Sequence, residues 1–237
     1  MKKKVAVVII FISLWTLFVL YPNPYRLAVS GSRMISPAVN PAAVTYLLDE
    51  LPETPREIER YVLDKIVPYQ YDWQTYGVPF YFPRAEEVLA NGLGDCKSRF
   101  VVLASIFEAL DIPYEMNYSL SHFWIVYEGK VETRLESREN AFLVQGENGP
   151  KLQIPRESLE ASYSTLKAGF WDAMPGHRQG LLFAGPPLSM VVAALSAAKE
   201  KSFSKGAKKR LTFSDQLKAS LKEPIERDLE QSLPNEG

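Results

Sequence analysis

Two stretches of the chain carry no charge, and between them apolar positions recur first with helical and then with strand spacing. Val5 to Tyr21 is 17 residues of almost unbroken apolar sequence directly after Lys2, Lys3 and Lys4. A helix of that length measures about 26 Å at 1.5 Å per residue, enough to cross a hydrocarbon core. The pattern predicts an uncleaved N-terminal anchor over residues 1–21. The alternative is a secretory signal, for which Ala28-Val29-Ser30 is a weak cleavage candidate. Gly180 to Ala198 is the second uncharged stretch, 19 residues long with Pro186-Pro187 inside it. A run of lysines and Arg210 follows, as after a stop-transfer segment, which favours a second span at 180–198 over a buried Ala-rich hairpin.

The region between reads as one α+β domain over residues 51–170, after a linker at 22–50 that holds a short helix at 41–50 at most. Thr54-Pro55 opens a helix with Ile58, Tyr61, Val62 and Ile66 at helical spacing, and Pro68 ends it. The aromatic run from Tyr69 to Phe82, broken by Gly77 and Pro79, is expected to be a packed loop. Arg84 to Ala90 is a short helix closed by Asn91-Gly92. Phe100, Val101, Leu103, Ala104, Phe107 and Leu110 mark the buried face of a helix that Asp95 caps. Period-two segments follow. Tyr114–Tyr118, His122–Tyr127 and Val131–Leu135 are read as strands, with Ala141–Val144 and Leu152–Ile154 extending the sheet. Pro155–Leu166 is a closing helix. The tail, 199–237, is polar and basic, with one helix expected around 214–231.

Composition alters this picture less than the distribution of charge does. The chain of 237 residues holds 27 Lys and Arg against 28 Asp and Glu. This near-balance argues against nucleic-acid binding. It is a cancellation: a basic leader and a basic tail flank an acidic middle with 15 basic and 21 acidic residues over 22–179. By the positive-inside rule both ends are cytoplasmic and the middle lies outside, on the far side of a plasma or inner membrane. One cysteine excludes an internal disulfide framework and a multi-cysteine metal site, and two histidines leave little for a metal centre. No nucleotide, calcium or metal motif is present, so no cofactor is expected.

The lone cysteine stands where a nucleophile would. Gly94-Asp95-Cys96 opens the apolar helix, and the first turn of a helix favours a thiolate and offers N–H groups to an oxyanion. Gly94 is expected to let a substrate backbone come close. Set against this is the usual fate of a lone cysteine, a small apolar residue in a core. His122, 26 residues on at the start of a strand, could take the thiol proton as general base. His177 is expected in a surface loop. The residue that orients the imidazole depends on strand register: one hairpin loop length puts Glu132 and Glu136 on the His122 face, the other Thr133.

Tyr69-x-x-Asp72-Trp73-x-x-Tyr76-Gly77, then Glu87-Val88-Leu89, Gly92 and Gly94-Asp95-Cys96, resemble the transglutaminase-like superfamily. So do Leu110-Asp111-Ile112-Pro113 and His122-Phe123-Trp124. The likeness covers about residues 55–137. It implies a papain-like α+β core and a Cys-His-acid triad, with Cys96 as nucleophile and His122 as base. The family's acid falls just after the turn that follows the histidine strand, where Glu132 is the nearest match. The family often has an acidic residue just after the cysteine; Lys97-Ser98 stand here. The resemblance implies acyl transfer on a peptide or protein substrate: hydrolysis, cross-linking or deamidation. Two other readings stand beside it, an inactive module that binds peptides or organises envelope partners, and a two-span scaffold in which Cys96 and His122 never meet.

Overall fold

The computed structural model describes residues 2–119, 121–133, 136–137, 141, 143–146, 149–152, 159–199 and 213–214. The chain divides into two compact units, Thr16–Leu182 and a second made of Met1–Trp15 with Phe183–Gly237.

The larger unit is a mixed α+β domain built around one helix. Helix α1 is Lys2–Leu20, and α2 is Pro24–Ile35, where Asn23 caps the first turn through its side chain and Pro24 stands at the first helical position. A 3₁₀ segment follows at Pro41–Glu50. Helix α3, Pro55–Tyr61, is capped by Thr54 and widens into a π turn at Val62–Ile66. Helix α4 is the single turn Asp72–Thr75, and α5 is Ala85–Asn91, closed by the left-handed Gly92. Helix α6, Cys96–Ala109, forms the centre. Helix α7, Leu159–Leu166, runs into a second π segment at Lys167–Asp172.

Helix α6 is enclosed rather than one-sided. Every residue from Phe100 to Phe107 is buried, and the side predicted to be polar is covered by the Pro41–Glu50 segment and α5. Leu110, expected in the buried face, is exposed beyond the helix end. A helix apolar all round needs such a wrapping, and burying Ile106 and Phe107 stabilises the fold by about 1.5–3 kcal/mol each. The sheet lies along the remaining side. Strands β1 (Tyr114–Tyr118), β2 (Phe123–Tyr127), β3 (Leu143–Gly146) and β4 (Gly149–Leu152) run in the order β2-β1-β3-β4, all antiparallel. Phe123 meets Phe100 edge-on, and Tyr127 meets Phe107.

Three expectations are corrected. The presumed linker contains α2, because Asn23 and Pro24 are a helix start rather than a chain break. Val131–Thr133 is not a strand: β2 pairs with β1, and the chain leaves the sheet at the Gly129 turn. His177 lies in the first turn of a helix, though on the surface as expected. The expected strand and helix positions at 134–135 and 155–158, and nearly all of the tail helix at 214–231, lie outside the described residues.

Helix α8, Gly176–Lys199, is long and apolar enough to cross a membrane. It is one helix through Pro186-Pro187, and Ser189 Oγ donates to the Pro186 carbonyl at 2.6 Å. In the smaller unit the backbone at Gly185 comes close to Trp15: a Cβ there would sit 2.7 Å from Trp15 Cδ1. Glycine at a tight helix–helix approach suits packing between spans. Phe183, Met190, Val191 and Leu195 stand exposed along α8, and Val5, Ile9, Ile10 and Leu14 along α1.

Candidate active site

Asp95 places Cys96. Its carboxylate accepts the Lys97 N–H at 3.0 Å and the Ser98 N–H at 3.5 Å, so two first-turn donors are taken by the cap. The Arg99 N–H goes to the Asp95 carbonyl. Cys96 is the first helical residue, half-buried, and among the described residues no acceptor takes its backbone N–H. Gly94 is needed for a reason other than the one expected. A Cβ there would fall 2.2 Å from Ser98 Cβ, so the first turn of α6 itself occupies the room. The Gly94 carbonyl and N–H are tied to Gln70 and Pro68, which seats the aromatic loop beside the nucleophile turn.

His122 precedes β2 by one residue. Its backbone N–H donates to Ser119 Oγ at 2.9 Å, its carbonyl accepts from Ser119 N–H, and its ring stacks on Trp124 with centroids 5.9 Å apart. The imidazole and Cys96 line one small cavity, and the ring bonds Glu136 Oε1 through Nε2 at 2.9 Å. Burial pulls the imidazole pKa down, but hydrogen bonds and charge from Cys96 and Glu136 outweigh it and hold the group at about 9. Glu136 is pulled the opposite way. Burial raises it, while His122 and Lys130 together bring it to about 2.

The acid beside the histidine is therefore Glu136, and the expectation of Glu132 is corrected. Glu132 and Thr133 are exposed. The register argument behind them assumed a strand returning along β2, and the chain forms a turn instead: the Glu136 N–H bonds Thr133 Oγ1 at 3.2 Å and the Thr133 carbonyl at 3.1 Å. Lys130 completes the placement. Its ammonium, 3% exposed at the side chain, bridges Glu136 Oε2 at 3.0 Å and Glu59 Oε1 at 2.5 Å, and Glu59 also accepts from Tyr127 Oη. Nothing in the sequence pattern pointed to Glu59 or Lys130, since their separation along the chain hides their proximity.

Directly behind Cys96 lies a second ionic group. Lys97 Nζ pairs with Asp72 Oδ2 at 2.9 Å and with Asp95, and all three residues are under 8% exposed. Asp72 also accepts the Tyr81 N–H at 2.8 Å. Burial raises the Asp72 carboxyl in spite of Lys97, while the two carboxylates overcome burial and keep Lys97 firmly charged. The lysine that stands where the family often has an acid is thus an internal counter-ion.

The space between Cys96 and His122 is a cavity of about 50 Å³, walled by Tyr69, Arg99, Leu103 and Trp124. Arg99 lies over the Tyr69 ring at 5.0 Å and donates to the Val67 and Leu63 carbonyls. A wider surface groove of about 500 Å³ runs along Pro52–Lys65, and neither Cys96 nor His122 lines it. Among the described residues no cluster of His, Cys, Asp and Glu could hold a metal ion. Comparison with protein-family models, curated proteins and solved structures gives no match.

Proposed function

We propose that this chain is a membrane-anchored cysteine enzyme with a papain-like, transglutaminase-like core, performing acyl transfer or hydrolysis on a peptide or protein amide through Cys96, His122 and Glu136. The observation that carries the reading is that Cys96 and His122 face one cavity while His122 Nε2 bonds Glu136 at 2.9 Å, with Lys130 fixing the carboxylate. Since Nε2 is given to Glu136, Nδ1 is the nitrogen left for the thiol. The Cys96 proton passes to His122, and the thiolate attacks the amide carbonyl carbon. The C–S bond forms as the carbonyl π pair moves to oxygen, toward the Cys96 N–H. Collapse breaks the C–N bond, and the imidazolium gives its proton to the leaving amine. Water or a second amine then attacks the thioester carbonyl and loses a proton to His122; collapse breaks the C–S bond, and His122 returns that proton to the Cys96 sulfur. Helices α1 and α8 are the anchors, with the domain outside the cytoplasm as the lysine-rich flanks require.

The test is the rate of iodoacetamide alkylation at Cys96 across pH in the full-length protein, followed by incubation with envelope-derived peptides. Rapid alkylation persisting below pH 7 and lost in His122→Ala supports the reading. Alkylation at the rate of an ordinary thiol, falling away below pH 7, overturns it. The small cavity favours one alternative, a peptide-binding module without turnover; stoichiometric binding by wild type and Cys96→Ala alike, with no product, would establish that instead.

A further inference from the structure

Helix α2 is inside out with respect to the domain. At 100° per residue, Arg26, Ser30 and Arg33 share one side, while Leu27, Gly31, Met34 and Ile35 fall within an arc of about 100° on another. The polar side is the one packed inward. Arg26 donates to the Tyr76 carbonyl and lies over the Tyr81 ring. Arg33 donates to the Phe82 carbonyl at 3.0 Å and pairs with Glu87 at 3.1 Å. Ser30 Oγ accepts the Phe82 N–H at 3.1 Å. The apolar side faces out, with Leu27 42%, Met34 52% and Ile35 84% exposed. A helix that spends both arginines on its own domain and turns its apolar residues outward has a non-aqueous neighbour.

Continuity with the anchors says which neighbour. Helix α2 begins three residues after α1 ends, and the axis turns by 78° at the break. A span that leaves the bilayer near its normal and turns by that angle continues nearly in the plane of the surface. The start of α8 emerges at the same corner of the domain, where Arg178 donates to the Val19 carbonyl at 2.6 Å. Tyr25, 69% exposed, stands just after the bend, and an exposed tyrosine suits the headgroup level. We infer that Pro24–Ile35 is an interfacial helix, with Leu27, Met34 and Ile35 set into the headgroup–acyl boundary so that the domain is docked flat on the lipid surface rather than hung from a tether. This rests on the reading of α1 as a membrane anchor.

The experiment uses the full-length chain carrying Cys96→Ala, reconstituted into phosphatidylcholine–phosphatidylglycerol vesicles. Single cysteines are placed by Leu14→Cys, Leu27→Cys, Ile35→Cys and, as a water-facing control, Glu53→Cys. Each is labelled with bimane and quenched by phospholipids brominated on the acyl chain. Quenching at 27 and 35 several-fold above that at 53, together with strong quenching at 14, is the expected result. Quenching at 14 alone overturns the interfacial helix and leaves the anchor standing. A blue-shifted but unquenched label at 27 and 35 also overturns it, in favour of a protein partner or a second copy of the chain. No quenching at 14 removes the anchor and the docked helix together.

Discussion

Cys96 and Lys97 are neighbours on one turn of one helix, and they belong to ionic groups of opposite character. Lys97, Asp72 and Asp95 are sealed, with two carboxylates sharing one ammonium and Asp72 Oδ1 buried without a partner among the described residues. Cys96, His122 and Glu136 are also largely enclosed, but the side chains of His122 and Glu136 keep 21% and 22% of their surface, and they border a cavity. The first group has no route to a substrate and serves to hold the start of α6 against the aromatic loop. The second is half-open, with His122 bonded to Glu136 and facing the same cavity as Cys96. What distinguishes a site from a brace here is access, since both contain perturbed carboxylates.

The substitution expected to separate the two most is His122→Ala. It should lower acyl transfer by about 10²- to 10⁴-fold, while the midpoint of denaturant unfolding in detergent moves little at about pH 9, where the ionic contribution of His122 is gone; a large loss of stability there with activity retained would reverse the assignment. Lys97→Met should do the opposite. Removing this counter-ion leaves buried carboxylates uncompensated, at a cost of about 3–5 kcal/mol. Adding Asp72→Asn should recover part of it, read from the same unfolding curves. Next comes Glu136→Gln, which gives up a charge-assisted hydrogen bond of about 1.5–3 kcal/mol and should slow alkylation of Cys96 at neutral pH by roughly 10- to 100-fold. Glu132→Gln, on an exposed residue, should change that rate less than twofold, and equal effects of the two would restore the acid that the resemblance suggested.

The pH dependence of stability sharpens the same contrast. Glu136 is depressed in the folded state, so its contribution is present above the unfolded value of 4.5 and is lost as pH falls toward about 2. His122 is raised, so its contribution is complete below 6.5 and is lost as pH rises toward about 9. Together they stabilise most between about pH 4.5 and 6.5. Asp72 is also raised, so its ionisation opposes folding and stability falls as pH climbs above its ordinary value of 3.8. Unfolding curves of wild type and His122→Ala should therefore diverge below pH 6.5 and converge by about pH 9; parallel curves would separate His122 from the ionic network.

Much of the domain was legible because its signals are local. The cap at Asp95, the left-handed Gly92, the dense apolar helix and the alternating β1 and β2 follow from spacing and turn chemistry. So did the pairing of Cys96 with His122 as a candidate. The acid was legible only as one of three candidates, Glu132, Thr133 and Glu136, because it follows a turn after Gly129 where Lys130 reaches back to Glu59, far away along the chain. The role of Lys97 was not legible, because Asp72, one of the two carboxylates that meet it, lies far back along the chain. Helix α2 was read as linker because of the prolines around it, although Asn23 and Pro24 form a cap and first turn.

The bond from Phe82 N–H to Ser30 Oγ also bears on how the protein must be made. Ala28-Val29-Ser30, the sole passage resembling a leader-cleavage site, lies inside α2, and Ser30 is buried in the domain. Cutting there would discard Arg26 and the Tyr21 hydroxyl that grips Pro79, and would leave the carbonyls of Tyr76 and Pro79 without their donors. Biogenesis and architecture are thus tied: the segment that would carry the chain to the membrane is also a structural part of the domain, and a processed form would lack part of its own foundation.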